Sequence, residues 1–314
     1  MRRRWLRRAA AATGIACAAA NAAAYAAAWA LTRRPDALFR PETRRVTPAA
    51  LGPSCERHVF TALDGTAREA WYLPHPQPRA VVALFHGYGG RKSDLLREAR
   101  AFHRMGLAPF LVDLRGAGDS PGDASSIGFY EADDVAAAAA YARALPGRPP
   151  LVLYGNSMGA AAALKAVSDR DLGARALVAE MPFNRLLTTV ERRFESRRLP
   201  SFPWAQLLVF WGGWQQGFDG FRHNPAEYAR RVHTPTLIIA GDKDPWVRPE
   251  DVDETFAELS EPKALLICPG LGHQSCLRGA PTVWLAGVAA FLDRHLPAGP
   301  GVSSGPQRGG RASS

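Results

Sequence analysis

No Cys-x-x-Cys pair occurs in this chain, and four cysteines (Cys17, Cys55, Cys268, Cys276) are too few for a disulfide framework in 314 residues. No His/Cys cluster has zinc-ligand spacing. The phosphate-binding Gly-x-x-x-x-Gly-Lys and the dinucleotide-binding Gly-x-Gly-x-x-Gly are also missing, so the chemistry is expected to need neither metal nor cofactor. A bridge between Cys268 and Cys276 and a pair of free thiols both stay open. The body of the chain also lacks a charge excess. Its formal net charge of +10 sits at the ends: residues 1–45 hold ten arginines against Asp36 and Glu42, and Arg308 and Arg311 lie in the tail. What remains sums to zero, which gives no reason to expect nucleic acid as a partner.

One long uncharged run is present. Ala9 to Leu31 is 23 residues without a charge, following five arginines in the first eight positions. At ~1.5 Å per residue it reaches roughly 34 Å, enough for a hydrocarbon core of about 30 Å. Fifteen of the 23 are alanine, so insertion is marginal, with Trp5 and Trp29 near the two ends. The length favours a signal anchor, with the N-terminus cytoplasmic and the domain outside. Arg33, Arg34, Arg40, Arg44 and Arg45 on the far side oppose that orientation. A cleaved export signal, with Ala28-Trp29-Ala30 as the site, and an alanine-rich soluble helix are the other readings. Under the anchor reading the domain is expected to start near Val46 and to be active without Met1–Thr32.

From Cys55 onward the pattern is regular. A hairpin (His58–Thr61, Ala67–Leu73) precedes the apolar runs Val81–Phe85, Pro109–Val112, Leu151–Tyr154, Ala176–Ala179, Thr236–Ala240 and Ala264–Cys268. Amphipathic helical stretches separate them. Short all-apolar strands alternating with helices predict a mostly parallel sheet of eight strands covered on both faces, with an antiparallel edge. The alternation breaks after the sixth strand. Residues 183–233 read as a small helical cap, whose aromatics (Trp211 and Trp214 above all) are expected to line a substrate pocket. The domain is thus expected over 46–297, with 298–314, rich in Gly, Ser and Pro, as a disordered tail.

Gly155-Asn156-Ser157-Met158-Gly159 lies between the run Leu151–Tyr154 and a helix. A serine there sits on a turn too sharp for flanking side chains, with its hydroxyl thrust above the sheet. A serine nucleophile needs a base, and the base an acid to fix its tautomer. Asp244 follows the seventh strand and His273 the eighth, so both can converge on Ser157. Asp242 is the rival acid, more plausible as a turn cap.

These segments together resemble the α/β-hydrolase superfamily over about His58–His295. The resemblance rests on His86-Gly87-Tyr88-Gly89-Gly90, Asp113-Leu114-Arg115-Gly116-Ala117-Gly118-Asp119-Ser120, Gly155–Gly159, Gly241–Asp244 and Gly272-His273. It implies Ser157 as nucleophile, Asp244 as acid and His273 as base. It also implies the backbone N–H groups of Tyr88 and Met158 as the oxyanion hole, with His86 ordering the loop after strand three. Within the superfamily the chain looks similar to membrane-anchored lipase and lysophospholipase-like members, or to the serine aminopeptidase-like group. The expected activity is hydrolysis of a carboxylic ester of a small-molecule or lipid substrate through an acyl-enzyme. A thioesterase, a peptidase or amidase, and a non-catalytic membrane-anchored binding protein are the alternatives.

Overall fold

The computed structural model of the chain describes residues 2–33 and 46–297; most of the basic linker and the expected disordered tail lie outside the described residues. The chain opens with a 31-residue helix, α1 (Arg2–Thr32). Strands β1 (Glu56–Thr61) and β2 (Ala67–Tyr72) form the hairpin, closed at the turn that holds Gly65, and β3 (Val81–Phe85) follows. Then come α2 (Leu96–Arg104), β4 (Ala108–Val112), α3 (Glu131–Arg143), β5 (Leu151–Asn156), α4 (Met158–Asp169) and β6 (Ala174–Glu180). Three helices precede the next strand: α5 (Leu186–Glu195), α6 (Trp204–Gln216) and α7 (Pro225–Ala229). The chain ends with β7 (Thr236–Gly241), α8 (Pro249–Glu258), β8 (Lys263–Cys268), the single turn α9 (Cys276–Gly279) and α10 (Pro281–His295).

The eight strands lie in the order β1-β2-β4-β3-β5-β6-β7-β8, parallel from β4 onward and antiparallel at the hairpin edge. Central strands carry no polar alternation because both faces are covered. Val81, Ala83 and Phe85 pack towards α3, α4 and α8, while Val82 and Leu84 pack towards α2 and α10. All five residues of β3 are buried. Parallel connections leave every carboxyl end of β3 to β8 on one edge of the sheet, the place where open α/β sheets bind ligands.

The segment that the sequence reads as a cap folds into α5, α6 and α7. It is tied to the body by His223, whose Nε2–H donates to the Ile127 carbonyl at 3.0 Å while Nδ1 lies 3.1 Å from the Tyr228 hydroxyl. Burial lowers the His223 pKa to about 4, so this imidazole is a neutral structural link. Helix α1 packs against α6.

Candidate active site

The elbow at Ser157 is dictated by steric exclusion. A Cβ on Gly155 would lie 2.4 Å from the Gly159 carbonyl oxygen, and one on Gly159 would lie 2.4 Å from the Phe85 carbonyl oxygen. No other residue fits either position. Ser157 itself has φ 51° and ψ −111°, a sparsely populated conformation for a residue with a side chain. Its N–H donates to the Glu180 carbonyl at 2.7 Å, and its carbonyl accepts from Ala160 and Ala161, so both sides of the strained residue are pinned.

The structure brings the three expected side chains together. Ser157 Oγ lies 3.0 Å from His273 Nε2, and His273 Nδ1 lies 2.6 Å from Asp244 Oδ2. The carboxylate can only accept, so Nδ1 carries the proton and Nε2 is left to accept from the hydroxyl. Asp244 Oδ1 accepts from the backbone N–H groups of Trp246 (2.8 Å) and Val247 (3.0 Å), which fixes the carboxylate plane. Asp242, the rival acid, instead accepts from the Gly270 N–H at 2.6 Å and holds the turn after β8.

The loop after β3 lies beside the elbow because β3 and β5 are paired, Phe85 opposite Gly155. A Cβ on Gly87 would stand 3.5 Å from that of Ser157. Tyr88 and Met158 border the same cavity as Ser157 and His273. His86 is buried and acts on the loop: Nδ1–H donates to Gly87 O at 2.8 Å, and Nε2 accepts from Leu114 N–H at 3.2 Å.

Two acids missed by sequence reasoning hold the histidine loop. The Glu180 carboxylate, fully buried, accepts from Cys276 N–H (2.7 Å), Tyr154 Oη (2.8 Å) and Trp284 Nε1 (2.9 Å). Burial is the main cause that raises its pKa to about 7. Glu98 accepts from Ser275 Oγ at 2.6 Å, and burial raises its pKa too. The signal for Glu180 was a lone acid ending the apolar strand Ala176–Ala179; its partners, up to 104 positions away, were out of reach. Cys268 and Cys276 are buried free thiols rather than a bridge. The hydrogen bond that Cys276 donates to Cys268, then burial, pushes Cys276 well above the usual thiol range.

The relay opens into a cavity of about 560 Å³. Its apolar wall comes from the cap (Leu186, Val190, Leu208, Val209, Phe218) and from Ile127. Trp211 and Trp214 are not in that wall, which corrects the sequence expectation. Trp211 Nε1 donates to Asn21 Oδ1 at 3.2 Å, and both rings pack on Tyr25, with centroids 5.4 and 6.4 Å away. The reason is α1, which covers that face of α6. The site also extends upstream of Val46: Ala28, Leu31 and Thr32 border the cavity. Among the described residues, the cationic side chains in the lining are Arg193 and Arg197, and no Asp or Glu lines it. Arg193 lies over the Trp246 ring at 4.8 Å, and that ring packs on His273 at 5.0 Å. Among the described residues no group of three or more His, Cys, Asp or Glu is placed to hold a metal ion.

Comparison with known proteins agrees with this architecture. A family model of serine aminopeptidases (S33) matches residues 76–227. An uncharacterised protein of Mycobacterium tuberculosis is 30% identical over 239 residues, 74% of this chain and 78% of the relative. Protein bem46 of Schizosaccharomyces pombe is 26% identical over 258 residues, covering 80% of this chain and 82% of its own. Among solved structures, an esterase of Pyrococcus furiosus shares the fold with a TM-score of 0.70 at 22% identity, over 82% of this chain and 97% of that one. By sequence kinship and by sheet order alike, the chain belongs to the α/β-hydrolase superfamily.

Proposed function

We propose that the protein is a serine hydrolase that cleaves carboxylic esters through an acyl-enzyme. Ser157 Oγ attacks the carbonyl carbon as His273 Nε2 takes its proton, and Asp244 stabilises the imidazolium. The backbone N–H groups of Tyr88 and Met158 receive the oxyanion. His273 then returns the proton to the leaving alcohol, and water, activated by the same imidazole, releases the acid. The observation that carries this reading is the relay itself, 3.0 Å and 2.6 Å, placed at the mouth of an apolar cavity of about 560 Å³. A thioester would react by the same steps.

Aminopeptidase action, which the matching family model would suggest, is the weaker reading. A free α-ammonium group calls for a carboxylate in the pocket, and among the described residues the charged side chains of the lining are the arginines Arg193 and Arg197. The test is a substrate panel: p-nitrophenyl esters from acetate to dodecanoate against aminoacyl p-nitroanilides. Ester turnover that vanishes in Ser157→Ala supports the proposal, whereas faster turnover of the anilides would replace it. On localisation, α1 is read as a membrane anchor with the catalytic domain outside the cytoplasm; export after cleavage is the alternative, decided by the N-terminal residue of the mature protein.

A further inference from the structure

Helix α1 carries 23 uncharged residues, but it does not stand alone. Helix α6 lies along its C-terminal part: Trp211 donates to Asn21, Gln215 Nε2 to the Tyr25 carbonyl at 2.9 Å, and Gln216 Nε2 to Thr32 Oγ1 at 3.4 Å. The part of the run that lies exposed ahead of the α6 contact, Ala9–Ala19, is about 17 Å long at ~1.5 Å per residue, well short of a hydrocarbon core of roughly 30 Å. The whole apolar run therefore reaches lipid only if α6 goes in beside it.

The surface of α6 fits that environment. Leu199 to Phe218 contains no charged residue. Phe202 is 75% exposed, Trp214 63% and Phe210 48%; on α1, Trp29 is 54% and Tyr25 41% exposed. Large aromatic rings of this kind settle at the boundary between lipid and water. Arg197 and Arg198, exposed just ahead of the uncharged stretch, can reach lipid phosphates.

The end of α1 is also joined to the catalytic machinery. The Tyr88 hydroxyl donates to the Leu31 carbonyl, the Ser125 N–H donates to the Thr32 carbonyl at 2.8 Å, and Arg33 pairs with Asp123 at 2.6 Å. Leu31 borders the cavity and is 37% exposed, so one side chain faces both the substrate space and the outside.

We propose that α6 and the C-terminal part of α1 enter one leaflet of a lipid bilayer as a unit, with Leu31 at a lateral opening through which the cavity takes its acyl chain. The substrate class is then a membrane-resident ester with a long hydrocarbon chain, presented from lipid rather than from water. The chemistry rests on the ester reading above; the docking rests on the α1–α6 contact.

Two measurements on the full-length protein in phosphatidylcholine vesicles test it. In vesicles with dibrominated acyl chains, Trp204→Phe/Trp214→Phe is expected to lower the quenchable tryptophan fluorescence by about a third, because bromine reaches only residues at lipid depth. Quenching equal to that of the wild type would place α6 in water and overturn the proposal. The second measurement uses Leu31→Trp, which narrows the opening at a position with room outside. The ratio of kcat/KM for a dodecanoyl ester held in the vesicle to that for p-nitrophenyl acetate should fall about tenfold. An unchanged ratio would overturn lateral entry. If the wild type turned over no ester of any length, the ester reading would fail, and the quenching result would still decide the docking.

Discussion

The two halves of the cavity are built by different rules. On the reactive side, Gly155 and Gly159 face backbone atoms at 2.4 Å, Ser157 is held at φ 51°, and Asp244 is pinned by two N–H groups. The two glycines admit no side chain, and Ser157 and Asp244 are set by the chemistry proposed for them. On the side that the proposed function gives to the acyl chain, the wall is a set of helix faces, where Leu186, Val190, Leu208 and Val209 need only be apolar and of suitable volume. Steric exclusion writes chemistry into single letters; packing writes substrate preference into sums of area. Changes on the reactive side should thus act in orders of magnitude, and those on the acyl side in factors.

The largest effect expected is from Ser157→Ala, which should lower kcat roughly 10⁴- to 10⁶-fold. Ser157→Gly should be as inactive yet melt above Ser157→Ala, since glycine accepts positive φ without strain, worth about 1 kcal/mol. Equal melting temperatures would show that the elbow stores no strain.

Asp244→Asn comes next, with a fall on the order of 10⁴-fold because His273 would be held in the wrong tautomer. Asp242→Asn should cost less than about tenfold, as it only weakens a turn. Comparable losses in the two, on the same ester, would move the acid or divide its role.

Glu180 should act on stability through pH. Its pKa rises from 4.5 to about 7 on folding, so between those values the folded state holds a proton that the unfolded state gives up. Stability from this group is therefore full below pH ~4.5 and is lost as pH rises through 7, a change of about 3 kcal/mol. Glu180→Gln should remove that part of the slope. Urea unfolding at pH 5 and pH 8 checks it, and parallel slopes in both proteins would assign the pH dependence elsewhere.

Acyl-side changes should be smallest. Leu208→Ala should lower the octanoate-to-acetate ratio of kcat/KM by roughly tenfold, as two methylene contacts at about 0.8 kcal/mol each are lost. Trp214→Ala, with its ring against Tyr25 outside the cavity, should leave that ratio within about twofold in detergent-solubilised protein. A larger effect at Trp214 than at Leu208 would restore the tryptophan to the pocket.

The same contrast explains what could be read in advance. Val81–Phe85 and Leu151–Tyr154 declared buried parallel strands because a run apolar on both faces has no other stable place in an α/β domain. Gly155, Gly159, Asp244 and His273 were legible because each serves a turn at a strand end. The cap was legible as helical, but not which face of α6 meets the cavity: one face meets it and another meets α1, both are apolar, and periodicity cannot choose between them. Leu31 beside Tyr88, and Glu180 beside Cys276, are contacts between distant parts of the chain that no local pattern announces.

The central claim is that Ser157 is the nucleophile of an ester hydrolase, and covalent labelling tests it most directly. The full-length protein, treated with a fluorophosphonate and digested, should carry one adduct by mass spectrometry, on the peptide containing Ser157, formed in step with the loss of ester turnover. An adduct on another residue, or none on folded protein, would contradict the account.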